Sequence, residues 1–252
     1  MYKHNISIKK IKQSIEWRVI DEEFTLPEEL SIKIDSYWLE LTNENPHLTR
    51  GKTFCIQNIE RQSNSLIVNL SQSDYAHYMY TLHKPIAEEF ACRICFGVAL
   101  VETNDKKYII GQMNPTTATP NRVQLPGGGI DNRDIKNNKV DLTSNVLREL
   151  EEETGLSKRH IISCLPTYLK QGGTHDFIAI IYKINLNISA QQVHDLFHVM
   201  KSELLARGEI PELVKLYSLN KEEKSIKSFL DKTKHPVVDY LLDTLVKDST
   251  PN

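Results

Sequence analysis

Residues 148–156 read R-E-L-E-E-E-T-G-L and are the most informative stretch of the chain. Glu149, Glu152 and Glu153 are related by i, i+3 and i+4, so on a helix they share one face. Like charges this close repel one another and cost stability unless a positive charge lies among them. A hard divalent cation, which prefers oxygen ligands, is the obvious candidate. Glu151 points away from the other three and is expected to be a solvated charge.

The residues around this acidic cluster predict how its helix packs and where it ends. Val146, Leu147 and Leu150 fall on the adjoining face and are expected to pack on a core. Gly155 should end the helix, because glycine readily adopts the left-handed conformation of a helix stop. Upstream, residues 125–130 read L-P-G-G-G-I, and these glycines let the backbone approach the same site closely.

Together the two motifs resemble the Nudix hydrolase family, whose signature is G-x5-E-x7-R-E-U-x-E-E-x-G-U, with U a bulky aliphatic residue. The second half of that signature matches at every specified position. The first half departs, because Arg148 follows Gly128 by 20 positions (148 minus 128) where the signature has 14. Six extra residues are therefore present. Counting forward from Gly128 puts Asp134 at the middle glutamate, counting back from Arg148 puts Val140 there, and Asp134 or Asp141 is left as its substitute.

The resemblance implies an α/β (α+β) fold, the family's α/β/α sandwich with a mixed sheet between helices. We expect a Nudix hydrolase domain over residues 89–252 and an N-terminal accessory α+β region over residues 1–88. Apolar periodicity and turn residues predict accessory elements as follows: an edge strand at 6–18, a helix at 27–43, a hairpin of 54–60 with 65–70, and a short helix at 75–82.

In the second region the same reasoning predicts four strands, at 94–102, 107–113, 176–185 and 212–219. It also predicts four helices, at 143–154, 191–205, 222–230 and 237–246. Ser218 or Asn220 is the expected cap of the third of these helices. The segment from Asp131 to Val140 is rich in Asp, Asn and Lys, so we expect an exposed, mobile excursion there.

Family members hydrolyse a nucleoside diphosphate linked to another moiety, X, so the resemblance implies a pyrophosphohydrolase. Glu149, Glu152 and Glu153 would hold Mg²⁺, with Mn²⁺ as a possible substitute, since both ions suit oxygen ligands. By the same resemblance the carbonyl of Gly127 is a further metal ligand. Arg148 would orient the motif through hydrogen bonds to loop and carboxylate groups, for which its planar fork is suited.

The residues that bind substrate and activate water are less determined. Arg122 and Gly128 are candidates for contact with phosphate, although a surface arginine is an equally good reading of Arg122. In many relatives a later glutamate acts as general base. Acidic residues at the start of a helix are also favoured by the helix dipole alone, so four candidates stay open: Glu203, Glu212, Glu222 and Glu223.

The accessory region carries a second resemblance. Residues 45–54 read N-P-H-L-T-R-G-K-T-F and residues 73–78 read S-D-Y-A-H-Y. They are similar to the N-terminal region of Nudix hydrolases that cleave UDP-glucose and UDP-galactose, which implies a UDP-sugar substrate. The alternatives are ADP-ribose, a dinucleotide or a nucleoside triphosphate, or a non-catalytic nucleotide sensor. The intact glutamate trio favours catalysis, whereas the inserted residues and the missing glutamate favour a sensor.

Composition indicates an ordinary globular protein, with 40% hydrophobic and 25% charged residues and a net charge of −2. The lack of basic excess argues against a nucleic-acid binder. No apolar run approaches the ~18 residues of a membrane span, and no secretory signal is evident, so we expect a cytoplasmic protein. A small nucleotide is the expected partner, with a homodimer as a family expectation.

Four cysteines are present, and Cys92 and Cys95 have the C-x-x-C spacing of a zinc or redox pair. No second pair with ligand spacing follows, so the sequence argues against a zinc site. The two lie in an apolar run that predicts a strand, and small buried hydrophobic residues are the better interpretation.

Overall fold

A computed structural model describes residues 4–250. Its strands and α-helices are, in chain order, β1 His4–Lys10, β2 Ser14–Glu23, α1 Glu28–Glu44, β3 Lys52–Arg61, β4 Ser65–Asp74, α2 Tyr75–His83, β5 Cys95–Glu102, β6 Lys107–Met113, β7 Val123–Gln124, β8 Ile135–Lys136, β9 Lys139–Val140, α3 Leu142–Thr154, β10 Ile161–Gly173, β11 Ile178–Leu186, α4 Ala190–Ala206, β12 Leu213–Asn220, α5 Glu223–Lys232 and α6 Leu241–Ser249. Among these described elements, no helix is both long enough and apolar enough to cross a membrane.

The larger sheet has seven strands in the order β1-β10-β11-β5-β6-β12, with β7 also paired to β6. β11 and β5 run parallel and the other pairs are antiparallel, so the sheet is mixed. Buried residues of α3 and α4 pack on one face, and those of α5 and α6 pack on the other. Helices on both faces explain why β5 and β11 are almost continuously apolar. The predicted α/β class, a mixed sheet sandwiched between helices, is confirmed.

The smaller sheet has five strands in the order β3-β4-β2-β9-β8. Its apolar side chains, among them Trp17, Phe54 and Leu66, join the same core as α3 and α4. α1 and α2 form a third cluster around Trp38 and Met79. The sheet therefore lies against the α3 side of the sandwich.

The two sheets draw strands from both predicted regions. β1 pairs with β10 in the larger sheet, and β9 pairs with β2 in the smaller one. The boundary at residue 88 stays a prediction, but strands cross it in both directions.

Several predicted elements need correction. The single strand expected at 6–18 is two strands, β1 and β2, in different sheets. β10 was not predicted, because it is an irregular strand with a proline inside it and exposed apolar residues at Ile162 and Leu165. The last helix begins at Leu241, since Val237 instead pairs with Val123. α5 starts after Glu222, so neither expected residue caps it.

Candidate active site

The glycine turn packs directly on β5 and on α3. A Cβ on Gly127, whose φ is 142°, would lie 2.3 Å from the carbonyl oxygen of Gly97. A Cβ on Gly128 would lie 2.5 Å from Glu149 Oε2. These positions therefore require glycine for different reasons: the first to fit against a strand, the second to admit a carboxylate.

The three predicted carboxylates lie on α3 and are buried to different depths. Glu153 is 3% exposed, and its Oε2 accepts a 2.8 Å hydrogen bond from the Gly127 N–H. Its Oε1 is buried and has no hydrogen-bond partner within residues 4–250. The side chain of Glu149 is 13% exposed and that of Glu152 is 50% exposed. Glu151 is exposed, as predicted.

Negative charge at this place exceeds what the surrounding protein neutralises. Burial raises the pKa of Glu149 to about 7, against the opposing effect of Arg148, and Glu212 adds to the rise. Burial, followed by repulsion from Glu212, raises the pKa of Glu153 well above its usual range. Glu149 and Glu153 therefore resist ionising together.

Arg148 connects the carboxylates to the loop between the glycine turn and α3. Its Nη1 lies 2.6 Å from Glu149 Oε1 and 3.1 Å from Glu152 Oε2. Its Nη2 donates to both oxygens of Asp134, at 2.9 and 3.2 Å. The guanidinium therefore contacts two members of the trio and one loop carboxylate at once.

Asp134 is the loop carboxylate that pairs with Arg148. It is 3% exposed and also accepts hydrogen bonds from the Asp131 N–H and from Asn145 Nδ2. Asp141 instead caps α3 by accepting a hydrogen bond from the Ser144 N–H. Of the two acidic substitutes left open by the sequence, Asp134 is thus the one that reaches Arg148.

The six extra residues form a small hairpin with paired strands. Most of the segment from Asp131 to Val140 is exposed, as expected, but Asp134 is buried; the mobility of the segment stays a prediction. The Asp141 N–H donates a 2.8 Å hydrogen bond to the Asp134 carbonyl and closes the hairpin of β8 and β9. β9 pairs with β2 at Arg18, so the hairpin extends the smaller sheet and β8 becomes its edge strand. Leaving out residues 135–140 restores the regular spacing of 14 between Gly128 and Arg148.

Among the four candidates for the general base, Glu212 is the one beside the acidic cluster. It precedes β12 and lines the pocket next to the glycine turn. Burial of the carboxylate and repulsion from Glu152 raise its pKa. Glu203 is exposed on α4, Glu222 precedes α5, and Glu223 is paired with Lys227 at 2.5 Å.

A cavity of about 780 Å³ opens against the glycine turn and Glu212. Arg122 lines it and donates from Nε to Gln124 Oε1 at 2.9 Å. In the described part of the chain no carboxylate lies within ion-pair distance of this guanidinium. Its remaining donors can therefore serve an anionic ligand.

Aromatic rings form another part of the cavity lining, which we call the aromatic side. Its rings follow one another at centroid distances of 5.4, 5.9 and 5.2 Å, in the order Tyr75, Tyr78, Phe177, His175. The sequence did not single out Phe177 or His175 as candidates, because a ring beside a turn carries no signal of what it faces. The two glycines, both with positive φ, mark a tight turn but not what it carries.

Comparisons with known proteins give remote similarities only. No family model matches the chain, and no curated protein matches it. Among solved structures it is similar to a NUDIX hydrolase from Nitrosomonas europaea (15% identity, 62% of this chain and 87% of that chain, TM-score 0.35). It is also similar to DR0079 from Deinococcus radiodurans (10% identity, 78% and 98%, TM-score 0.43).

A third similarity is to NrtR from Shewanella oneidensis, solved in complex with a 27mer DNA (16% identity, 62% of this chain and 59% of that chain, TM-score 0.35). At this degree of similarity, function has to be inferred from the site itself.

Proposed function

We propose that this chain is a Nudix-type pyrophosphohydrolase that needs a divalent metal and cleaves a nucleoside diphosphate linked to another moiety. The observation that carries the proposal is the buried, unpartnered Oε1 of Glu153 among clustered carboxylates. A buried charge without a partner is costly, so a positive ligand at this place is favoured. The adjoining cavity and the free donors of Arg122 support a phosphate-containing substrate.

The donor set fits a hard cation. Glu149, Glu152 and Glu153 offer carboxylate oxygens and Gly127 offers its carbonyl, an all-oxygen set that suits Mg²⁺, with Mn²⁺ as substitute. When bound, the metal would neutralise phosphate charge and make a bound water more acidic. The cluster itself supports this, because burial has already raised the pKa of two of its members.

The protein groups around the metal have separate tasks in this proposal. Glu212 accepts a proton from the attacking water, since its raised pKa makes it a better base at neutral pH. Arg122 holds a phosphate oxygen through its unpaired donors. Arg148 does not touch the substrate. It positions Glu149 and Glu152 through its short contacts with both.

We further propose a UDP-sugar as substrate, with hydrolysis to a nucleoside monophosphate and a sugar 1-phosphate. The accessory-region resemblance supports this, and it includes Tyr75 and Tyr78 of the aromatic side. Stacking on aromatic rings is a common way to hold a base. Other Nudix substrates, and a sensor that binds without cleaving, are the alternatives. A cytoplasmic location, a homodimer and the absence of nucleic-acid binding stay predictions.

The test is a panel of UDP-sugars, ADP-ribose, dinucleotides and nucleoside triphosphates incubated with the protein and Mg²⁺ at mildly alkaline pH. A coupled phosphatase with phosphate detection reports cleavage, and chromatography identifies the products. We expect UDP-sugars to be consumed, and chelation with EDTA to abolish the reaction. Consumption of another substrate alone would refute the UDP-sugar assignment. Saturable binding by calorimetry without any cleavage would refute the hydrolase and leave the sensor.

A further inference from the structure

We propose that Cys55 and Cys92 form an oxidisable dithiol site, which hydrogen peroxide converts to a disulfide. The Cys55 and Cys92 sulfurs are 2.6 Å apart, and both residues are completely buried. Unbonded heavy atoms pack best at about 3.5–4.0 Å. The two thiols therefore lie much closer than ordinary packing would bring them.

The backbone holds this contact from both sides. Cys55 lies on β3, and its backbone forms an isolated antiparallel β-bridge with Ile94. Beside it, the Ile56 N–H donates a 2.6 Å hydrogen bond to the Arg93 carbonyl. The Cys92 N–H donates to Thr81 Oγ1 at 2.9 Å. Sequence spacing pairs Cys92 with Cys95, but Cys95 lies on β5 within the main core. In the structure Cys92 therefore contacts Cys55, which is 37 positions away in the chain, and not the neighbouring Cys95.

The same cysteines and His77 are close enough to one another to suggest a metal site. Two observations argue against it. A tetrahedral zinc with bonds of ~2.3 Å would hold its sulfurs ~3.8 Å apart, well beyond their present separation. The ring of His77 is also already engaged at both nitrogens, by Ser73 Oγ at 2.8 Å and the Phe90 carbonyl at 2.6 Å.

The environment distinguishes Cys55 from the other thiols. The hydrogen bond from Cys92, opposed by burial and assisted by His77, lowers the pKa of Cys55 to about 6. Burial raises the pKa of Cys92 and of Cys95, and it raises the pKa of Cys164 to about 11. Thiolate is the nucleophilic form of cysteine, so Cys55 attacks first.

The reaction balances with one molecule of hydrogen peroxide per pair of thiols. The Cys55 thiolate attacks one peroxide oxygen and the O–O bond breaks, which leaves a sulfenic acid and a hydroxide that takes up a proton as water. The Cys92 sulfur then attacks the Cys55 sulfur, and its proton leaves with the sulfenic oxygen as a second water. Two thiols are oxidised to one disulfide, and the peroxide is reduced to two waters.

The resulting bond would close a loop that contains β4 and α2. That loop includes Tyr75 and Tyr78, and Thr53 of β3 also lines the cavity. Oxidation would therefore tether one part of the cavity wall to the segment that enters β5. This site is independent of the metal-binding carboxylates.

Peptide mapping tests the proposal, because trypsin places the four cysteines in four peptides: residues 53–61, 62–93, 94–106 and 160–170. The full-length protein is fully reduced, freed of reductant, treated with hydrogen peroxide, denatured in acid and alkylated. We expect a linked peptide pair, 53–61 with 62–93, and loss of two of the four alkylatable thiols. Cys55→Ser and Cys92→Ser should abolish the link, whereas Cys95→Ser and Cys164→Ser should retain it.

A link between 62–93 and 94–106, or overoxidation of Cys55 without any link, would overturn the proposal. So would stoichiometric zinc in the purified protein that is lost in Cys55→Ser, since that outcome assigns the cluster to a metal. The wild-type peptide map and metal content decide the question even where a variant fails to fold.

Discussion

The acidic side of the candidate site and the aromatic side of the adjoining cavity are built in different ways. The acidic side, meaning the glycine turn with Glu149, Glu152 and Glu153, comes from a single run of sequence, residues 125–156. The aromatic side collects rings from α2 and from the turn before β11, about a hundred residues apart in the chain (177 minus 75). Proposed chemistry is thus encoded locally, whereas substrate contacts depend on the tertiary fold. Substitutions on the two sides should affect different kinetic constants.

Removing one carboxylate charge from the acidic side should have the largest effect. We expect Glu152→Gln to lower kcat on the order of a hundredfold, as loss of metal-assisted charge stabilisation does. Glu151→Gln, one residue away but exposed and outside the cluster, is the matched control and should be nearly silent. Steady-state kinetics with Mg²⁺ measures both. Equal losses in the two variants would sink the metal assignment.

The second largest effect is expected from removing the charge of Asp134, and it should appear as a loss of folding stability. Asp134→Asn removes a buried charge that pairs with Arg148 at 2.9 Å. We expect the free energy of unfolding to fall by about 2 kcal/mol, somewhat less than for a fully buried pair because Arg148 is 19% exposed. Asp141→Asn should be close to neutral, since Asn caps helices as well as Asp.

Urea unfolding of the two variants gives these values. A larger loss for Asp141→Asn than for Asp134→Asn would show that the helix cap, and not the Arg148 pair, holds the loop in place.

The third largest effect is expected from adding one methyl group to the glycine turn. In Gly128→Ala the new Cβ would meet Glu149 Oε2 at 2.5 Å, so the carboxylate must move. Small misplacements of reacting groups are costly, and we expect kcat to fall by about tenfold. Gly129→Ala adds the same methyl where no atom lies within 4 Å and should retain activity. If both variants behave alike, the close approach to Glu149 is irrelevant to turnover.

The aromatic side should respond through KM. Tyr78→Leu removes one of the two inner rings of the series, and stacking on a base contributes ~1–3 kcal/mol. We expect KM to rise by roughly fivefold, which corresponds to a loss of binding energy near the lower end of that range. We expect kcat to change little. Tyr80→Leu, on the same helix but packed against Tyr37, is the control. A change in kcat alone for Tyr78→Leu would contradict the division between the two sides.

Deleting the inserted hairpin should have the smallest effect. Removal of residues 135–140 takes away the partly buried Ile135 and Val140, and we expect a loss of about 1 kcal/mol in unfolding free energy. Turnover should persist, because Asp134 stays in place and the regular spacing returns. Loss of activity with Mg²⁺ binding intact would show that the hairpin contacts substrate.

What the sequence predicted follows the same division. Helical spacing and a glycine stop located α3 almost to the residue, because both depend only on neighbours in the chain. The hairpin of β3 and β4 and the helices and strands of the sandwich were predicted for similar reasons. β10 was missed because its apolar residues are exposed and do not alternate. Neither Asp134 as the partner of Arg148 nor Glu212 beside the trio could be singled out, since only the folded chain brings them there.

The pairing of β1 with β10 bears on how the chain can be divided. β1 pairs with the stretch of β10 from Tyr168 to Gly173, so it covers backbone groups of β10 that would otherwise be unpaired. An unpaired edge is a template for other chains. A fragment that begins at residue 89 would carry an intact acidic side but a bare β10. We therefore expect it to self-associate, which light scattering would detect, whereas the full chain is protected from this by its own first strand.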